Sequence, residues 1–299
     1  MKISIPCFIL FSLFSCVSEK SNVLHELVIC GDNKVWIIDK EKSEGSNVEV
    51  IWKWEISDVS GQIPDEYQNY LKSMDECKFV DNNSKLLVAS SSGGVLLIDR
   101  ETKKCLFHAY APMAHSVDLL PDNKIAVALS TNPNGNSLEI YDINQSNVVL
   151  FKDSLYSGHG SVWMEKRQRF YALGYDMLRE YSLVNWNTSM PKLKLEREWI
   201  IPAEGGHDLS KVSDNEILVS DHHGVSLFDI DKETFMPFVP LDTVQNIKSV
   251  NYNMKTKELI YTKAEVSWWT HNIYIHNPDK VITISEINLY KVRPNSYQK

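Results

Sequence analysis

A repeat of roughly 40 residues constrains this chain more than any other feature. Each unit has an apolar strand, a polar turn, a second apolar strand, a variable loop and a third strand that ends in an acidic turn; the clearest units begin at Glu76, Ala114, Gly158 and Gly206. A weaker fourth strand closes most units. Repeated four-stranded sheets around an axis form a β-propeller, which exposes only short strand edges. The sequence therefore predicts an all-β protein with a single propeller of mainly four-stranded antiparallel blades.

The two ends of the chain decide the number of blades. "ELVICGDNKVWIIDKEK" from Glu26 fits the second and third strands of an earlier unit, and Ile247 opens a last unit with "INLYKVRP" as its third strand. These units give six blades, with five or seven as alternatives. The first unit lacks an inner strand. The segment after Lys280 is the candidate to supply that strand and so close the ring.

The first residues have the pattern of a lipoprotein signal peptide, which we place at residues 1–15. The apolar stretch from Ile3 to Phe14 is too short to span a bilayer. The small residue before Cys16 resembles the lipobox of bacterial lipoproteins, in which the cysteine is acylated. We predict a lipidated Cys16 with a tether over 16–24, and a propeller over 25–299. Secretion without lipidation and a retained anchor are the alternatives. Acylation would attach the protein to the cell envelope, at the outer membrane on its periplasmic or surface face.

Composition excludes several functions. The net charge of −8 argues against a nucleic-acid-binding protein, which needs a basic face. No GxSxG motif, P-loop, dinucleotide fingerprint or standard glycosidase carboxylate pair occurs. The propeller region has three cysteines, Cys30, Cys77 and Cys105, without a CxxC zinc pattern. Free thiols are expected, with one disulfide and one thiol as the alternative. We expect a monomer.

Several short segments resemble a known family when they are taken together. The segments are "AHSVDLLPDNKIAVA", "GHGSVW", "GGHDL", "IKSV" and "SWWTHN", in this order behind the signal peptide. The chain resembles an uncharacterised β-propeller lipoprotein family of Bacteroides-type bacteria, over about Glu26 to Pro294. This resemblance implies the propeller fold and the envelope location. It supplies no catalytic residues, because the family has no assigned reaction.

Histidines occur where the inner strands of successive units begin. The first strand of each propeller blade lines the central channel, so equivalent positions point at one axis. When the units are aligned on an apolar residue of that strand, the position two places earlier holds Cys77, His115, Gly160, His207 and Lys248 in turn, and His159 directly precedes Gly160. Loops between second and third strands open on the same face. They add His222 and His223, and an insertion from Thr262 to about Ile284 adds Trp268, Trp269 and His271.

Two interpretations of these histidines stay open. In the first, they brace the strands through hydrogen bonds, as in WD-type propellers. In the second, they form a ligand site, in which neutral imidazoles of His115, His159 and His207 would hold a divalent metal and leave a position for water or substrate. Lys248 opposes the metal, since two cations repel, and favours an anion such as a uronic acid carboxylate. In that version His115, His207 and Lys248 are the candidates for general acid–base catalysis.

Three functions fit the pattern. The first is an enzyme of polysaccharide lyase or glycoside hydrolase type. The second is a lipoprotein that binds a glycan or a small anionic ligand without catalysis, and the third is a protein-interaction scaffold whose histidines are structural braces. Fold alone does not decide among them. Trp268 and Trp269 are adjacent and so face opposite sides of a strand, which leaves one of them to stack on a sugar ring. The remaining candidates for ligand binding are His159, His222, His223 and His271.

Overall fold

The structure, a computed structural model, describes residues 25–295 as six four-stranded antiparallel sheets. The all-β prediction and the count of six blades are confirmed. The predicted signal peptide and Cys16 lie outside the described residues. Within residues 25–295, no helix is long and apolar enough to span a bilayer.

Strands are numbered in chain order. The first three blades use β1 (Glu26–Gly31), β2 (Lys34–Asp39), β3 (Val50–Glu55), β4 (Met74–Val80), β5 (Lys85–Ser90), β6 (Gly94–Asp99), β7 (Cys105–Tyr110), β8 (Ala114–Leu120), β9 (Lys124–Leu129), β10 (Ser137–Asp142) and β11 (Val149–Ser154). The remaining strands are β12 (Gly160–Met164), β13 (Arg169–Leu173), β14 (Met177–Val184), β15 (Lys192–Ile200), β16 (Asp208–Lys211), β17 (Glu216–Ser220), β18 (Val225–Asp229), β19 (Thr234–Pro237), β20 (Ile247–Tyr252), β21 (Leu259–Lys263), β22 (Asn272–His276), β23 (Lys280–Thr283) and β24 (Leu289–Pro294). One short helix, α1 (Tyr67–Tyr70), and two 3₁₀ turns, at Ile56–Val59 and Glu165–Arg167, interrupt them.

The first blade contains both ends of the described chain. Its order is β24, β1, β2 and β3, from the channel outward. Strand β24 pairs antiparallel with β1, from Leu27 opposite Pro294 to Gly31 opposite Leu289. The prediction that the C-terminal segment closes the ring is therefore confirmed. The assignment of "INLYKVRP" to the last blade is wrong, because that segment is the inner strand of the first.

The last blade also differs from its prediction. The stretch from Thr262 to about Ile284 is not one long insertion, since it contains β22 and β23, the third and fourth strands of the blade. Only residues 264–271 form the loop between β21 and β22. Trp268 and Trp269 lie in this loop.

The hydrophobic core is divided among six clusters, one between each pair of neighbouring blades. The cluster between the last and first blades joins Ile260 and Ile273 to Leu27 and Ile29. Burial of apolar side chains therefore stabilises the closing seam as it does the other five. Cys30, Cys77 and Cys105 are free thiols, as expected.

The inner strands build the channel in layers. By strand register, one equivalent residue of each blade forms a layer that we call the middle ring: Lys291, Glu76, Ser116, Ser161, Asp208 and Ser249. Two residues further along each strand lie the members of the lower ring: Arg293, Lys78, Asp118, Trp163, Ser210 and Asn251. Residues on the other side of the middle ring form the mouth that the histidines occupy.

Candidate functional site at the histidine mouth

Six side chains, one from each blade, form a closed ring at this mouth. We call them the histidine ring: Tyr290, Asp75, His115, His159, His207 and Lys248. Their exposed fractions are only 3–9%. Ring centroids are 4.4 Å apart between His115 and His159, and 5.5 Å between His159 and His207. The Lys248 Nζ lies 2.9 Å from His207 Nε2 and 5.9 Å from the Tyr290 ring centre, and Tyr290 lies 6.1 Å from His115.

Local irregularities in the inner strands supply these side chains. Asp75, His115 and Lys248 are each an extra residue between two paired neighbours, at register shifts in β4, β8 and β20. Tyr290 occupies the same kind of shift in β24. A bulge of this kind redirects one side chain without ending the strand, and bulges are frequent beside functional sites. His159 and His207 instead stand immediately before β12 and β16.

Hydrogen bonds fix the orientation of two imidazoles. The Nδ1 atom of His115 lies 2.9 Å from the carbonyl oxygen of Met113, and that of His159 lies 2.9 Å from the carbonyl oxygen of Ser157. In the neutral form of each ring, Nδ1 must carry the hydrogen in order to donate it. Nε2 is then the acceptor. Burial and the neighbouring histidines lower the pKa of His159 well below its usual value, so this ring is neutral at physiological pH.

His207 and Lys248 form a coupled pair. Burial, followed by the charge of Lys248, lowers the pKa of His207 to about 2. The imidazole is therefore neutral, and its Nε2 accepts a hydrogen bond from the ammonium. Burial and the charge of Lys291 lower the pKa of Lys248 to about 8. This lysine loses its proton far more readily than an exposed one does.

Asp75 is the acidic member of the ring. Its Oδ2 accepts a hydrogen bond of 2.6 Å from the backbone N–H of Ser91, and its Oδ1 lies 3.9 Å from His115 Nε2. Burial raises the pKa of this carboxyl. The ring thus combines a carboxyl, a phenol, an amine and three imidazoles within one small area.

Aromatic side chains flank the ring on two sides. On one side, Trp268 is 60% exposed and Trp269 is half-buried. Both tryptophans line a cavity of about 110 Å³ together with Asp75 and Tyr290. A cavity of this volume has room for a few water molecules and is smaller than a typical small-molecule pocket.

The second aromatic flank continues from His207. The ring of His222 lies 4.9 Å from His207, and Tyr175 lies 6.3 Å from His222. Tyr156, which is 60% exposed, lies 5.6 Å from Tyr175. The mouth therefore has a polar centre between a tryptophan wall and a tyrosine wall.

Two predicted ligand-binding residues have other placements. His223 is exposed, and its backbone N–H donates to Asp221 Oδ1 within the turn. The Nδ1 of His271 lies 3.0 Å from the carbonyl oxygen of Ile287 and 3.1 Å from that of Ile284. His271 therefore braces the backbone beneath Trp269, whose ring lies 5.0 Å away.

Buried ion pairs close the channel below the histidine ring. Lys291 Nζ lies 3.2 Å from Glu76 Oε2 and 3.1 Å from Asp208 Oδ1. The guanidinium of Arg293 donates to both carboxylates, at 2.9 Å to Glu76 and 2.7 Å to Asp208. Burial alone would raise the pKa of Glu76, but Arg293 and Lys291 lower it to about 2. This channel is a plugged core and not an open pore.

The arrangement gives the three-histidine metal hypothesis no support. Among residues 25–295, no group of three or more His, Cys, Asp or Glu side chains has the geometry of a metal site. The acceptor nitrogen of His207 is already engaged by the Lys248 ammonium. A cation in the same place would also be repelled by this lysine.

Sequence reasoning missed part of the ring. For the ring position of the second blade, the alignment predicted Cys77. The structure instead places Asp75 at this position and buries Cys77 between the first and second blades. All seven residues of β4 are buried, so the strand shows no alternation that would reveal its phase. Tyr290, Lys291 and Arg293 were missed because β24 was assigned to another blade. The acidic pair "DE" at 75–76, set in an apolar strand, was the available signal.

The fold and the ring define the class of this protein: a six-bladed β-propeller whose channel is plugged by buried ion pairs. More narrowly, the chain belongs to the Family of unknown function (DUF6528), whose model matches residues 17–296. The predicted resemblance to an uncharacterised family is confirmed to this extent. No curated protein matches the chain.

Solved structures share the fold at low sequence identity. A protein of unknown function from Bacteroides caccae is 13% identical with a TM-score of 0.58, over 90% of this chain and 98% of that one. A chain of the mitotic checkpoint complex is 12% identical with a TM-score of 0.55, over 83% and 69%. Sqt1 of Saccharomyces cerevisiae is 12% identical with a TM-score of 0.50, over 79% and 65%. These likenesses concern the fold alone.

Proposed function

We propose that this protein binds a saccharide, neutral or bearing a uronic acid carboxylate, across the histidine mouth, and that Cys16 anchors it to the cell envelope. One observation carries the ligand proposal. A closed ring of polar side chains lies between exposed aromatic walls, on the face that collects the loops of all six blades.

The hydrogen-bonding groups of the ring suit hydroxyls. The Nε2 atoms of His115 and His159 accept, the ammonium of Lys248 donates, and the hydroxyl of Tyr290 does both. A sugar presents several hydroxyls that each donate and accept, so such a mixed set matches it. Lys248 adds an attraction for a uronate carboxylate.

The shape of the mouth favours an extended ligand that lies on the face. A cavity of about 110 Å³ admits a single substituent and not a whole sugar ring. Trp268 and Tyr156 stand exposed on opposite sides of the histidine ring. In this proposal, sugar rings stack on these two aromatics while one substituent enters between Asp75 and Tyr290.

Replacement of Trp268 by alanine tests the proposal. Because the side chain is 60% exposed, Trp268→Ala should leave the melting temperature unchanged. We expect an oligosaccharide that binds the wild type, found in a panel of neutral and uronate-containing oligosaccharides, to bind about tenfold more weakly, which corresponds to about 1.4 kcal/mol of lost stacking. Isothermal titration calorimetry measures this change.

The matched control is Ile200→Ala, which removes another exposed apolar side chain, on the outer strand of the fourth blade. This variant should bind as the wild type does. The proposal fails if no member of the panel binds at millimolar concentration, or if both variants bind with wild-type affinity.

A catalytic version assigns proton transfer to His115, His207 and Lys248. With a pKa of about 8, Lys248 is able to take the proton beside a uronate carboxylate once it is deprotonated. The electrons of the broken C–H bond form a carbon–carbon double bond and expel the glycosidic oxygen, which takes a proton from water as it leaves, and the product carries an unsaturated uronate. Ultraviolet absorbance of that product, rising from pH 7 to pH 9 and absent in Lys248→Met, is the expected result. Binding without any absorbance would leave a ligand-binding lipoprotein.

A scaffold function is the second candidate, and one observation favours it. His115 and His159 each lie within hydrogen-bond distance of the carbonyl oxygen two residues earlier, as bracing residues would. If bracing is their whole role, His159→Ala lowers the melting temperature by several degrees and changes the affinity for no ligand in the panel. If the saccharide proposal holds, the same variant also weakens binding.

The lipid anchor is tested separately. Wild-type protein, expressed in a bacterium that acylates lipoproteins, should incorporate a labelled fatty acid and fractionate with membranes. Cys16→Ser should do neither, while Cys105→Ser, which alters a half-buried thiol of the propeller, should behave as the wild type does. A Cys16→Ser protein that remains in the membrane fraction would contradict the proposal.

A further inference from the structure

A second cavity, of about 370 Å³, opens at the opposite end of the channel. Every member of the lower ring lines it, and the plug of buried ion pairs separates it from the histidine mouth. Its volume lies at the small end of the range for ligand sites. We propose that this cavity is a binding site for one neutral sugar ring, independent of the proposed saccharide site at the histidine mouth.

A buried hydroxyl without a hydrogen-bond partner supports this proposal. Ser210 is 8% exposed and lines the cavity, and among the described residues its Oγ has no hydrogen-bond partner. Asn295 also lines the cavity, and its buried Oδ1 has no partner within residues 25–295 either. Buried polar atoms without partners are rare, because each costs free energy that a ligand or water then recovers. One hydroxyl and one amide oxygen together offer a donor and two acceptors.

Lys78 adds further donors. Its Nζ donates to the carbonyl oxygen of Ser161 at 2.7 Å and lies 3.8 Å from Asp118 Oδ2. An ammonium has three hydrogens, so this geometry leaves capacity for a ligand. Asp118 Oδ2 also accepts from the backbone N–H of Trp163 at 2.7 Å, which holds the carboxylate at the wall of the cavity.

Charge favours a neutral ligand. The lining contains three cationic residues, Lys78, Lys211 and Arg293, and three acidic ones, Asp81, Asp118 and Glu165. The guanidinium of Arg293 is engaged by two carboxylates of the plug, and Lys211 is paired with Asp214. No excess of positive charge therefore remains to select an anion.

Trp163 supplies a flat aromatic surface on which a sugar ring can stack. Its side chain is half-buried, lines the cavity, and donates from Nε1 to Glu165 Oε2 at 3.2 Å. An aromatic ring held at an angle fixed by a hydrogen bond suits the apolar face of a pyranose.

The experiment uses the full chain and four single sugars: glucose, galactose, N-acetylglucosamine and, as the anionic comparison, glucuronate. Saturation-transfer NMR detects binding at millimolar concentration, and titration gives the affinity. We expect at least one neutral sugar to bind more tightly than glucuronate. Ser210→Ala should bind it about threefold to tenfold more weakly with an unchanged melting temperature, because the lost hydroxyl had no internal partner.

Controls separate the two mouths. Ser210→Phe fills the cavity and should abolish binding of the single sugar, whereas Trp268→Ala, at the histidine mouth, should retain it. Ser226→Ala, at a similarly buried serine outside the cavity, should bind as the wild type does. The proposal is overturned if no neutral sugar binds, if glucuronate binds best, or if Ser210→Phe folds and binds normally.

Discussion

The same six strands form both mouths of the channel, yet side chains fill one mouth more completely than the other. The histidine ring carries four aromatic or imidazole side chains, a lysine and an aspartate, and four of its members, from His115 through His159 and His207 to Lys248, contact one another in sequence. The lower ring includes Ser210, Asn251 and Asp118, whose short side chains leave about 370 Å³. The same strands therefore carry a packed ring at one end and, where three of the six side chains are short, a cavity at the other.

The mouths also hold different basic groups, although each has one buried carboxyl with a raised pKa, Asp75 and Asp118. Burial lowers the pKa of His159, His207 and Lys248 at one end. At the other end, burial raises the pKa of Asp118 despite the nearby Lys78. The plug between them contains charges that compensate one another. We therefore expect perturbations to act on one mouth at a time unless they reach the plug.

The largest effect should follow from damage to the plug, which both mouths share. Asp208→Asn leaves Lys291 and Arg293 with only Glu76 as a carboxylate partner in the channel. Removal of one partner from a buried ion pair costs about 3–5 kcal/mol. Urea unfolding should show this loss, together with weaker binding at both mouths.

The control for this variant is Asp214→Asn, which breaks the exposed pairs with Lys166 and Lys211. Solvent screens ion pairs at the surface, so this variant should be far less destabilised than Asp208→Asn. If the two variants were destabilised equally, the plug would not be the element that holds the channel together.

An intermediate effect should appear as a pH dependence that belongs to the histidine mouth. The folded-state pKa values of His159 and His207 lie below the usual 6.5, so the unfolded chain binds protons that the folded chain does not. The free energy of unfolding therefore has its full value above pH 6.5. Below that pH it decreases by about 1.4 kcal/mol per pH unit for each histidine. The Glu76 carboxyl, with its pKa of about 2, adds to the loss only below about pH 4.5.

Urea unfolding between pH 6.5 and pH 4.5 therefore tests the histidines when variants are compared, because the raised pKa values of Asp75 and Asp118 act in the opposite direction in every variant. His207→Asn should reduce the slope over this range by about 1.4 kcal/mol per pH unit, whereas His223→Asn, at an exposed position, should leave it unchanged. A slope that is the same in His207→Asn and in the wild type would show that the His207 imidazole accepts a proton in the folded state.

The smallest effect comes from a contact at the edge of the histidine mouth. Gly205 has a φ of +77°, and a Cβ on it would meet the His222 ring at 2.3 Å. Gly205→Ala should cost about 1–2 kcal/mol from the backbone and also displace His222 from His207. Gly45→Ala shares the positive φ of +54° but meets nothing within 4 Å, so it should cost only the backbone strain. Thermal unfolding compares the two; equal losses would mean that His222 moves freely.

Much of this architecture was predictable because the same sequence pattern is repeated in successive blades. The recurring pair of apolar strands around a polar turn gave the blades, and the missing inner strand of the first unit required a segment from the other end. Alignment also placed His115, His159, His207 and Lys248 at the start of neighbouring inner strands. Rotational symmetry converts such a pattern into proximity.

What the sequence could not give are features set by contacts between distant segments. Lys291 and Glu76 are 215 positions apart, and the sequence around each residue does not predict that they pair. The bulges that redirect Asp75 and Tyr290 interrupt strands whose side chains are buried on both faces. Such strands show no alternation of apolar and polar residues from which a bulge could be predicted. The cavity at the lower ring depends on the short side chains of Asp118, Ser210 and Asn251, which come from three different blades, and no single motif records that combination.

The position of β24 has a consequence for biosynthesis. Both cations of the plug lie on β24, the last strand of the propeller to be synthesised, whereas Glu76 is made more than 200 residues earlier. Until that strand arrives, Glu76 and Asp208 lack these two cations and the apolar edge of β1 stays uncovered. A chain that stops before β24 would lack both the cations and the seam. The ring therefore closes only after all six blades have been synthesised, and an open ring would expose its apolar edge to proteases.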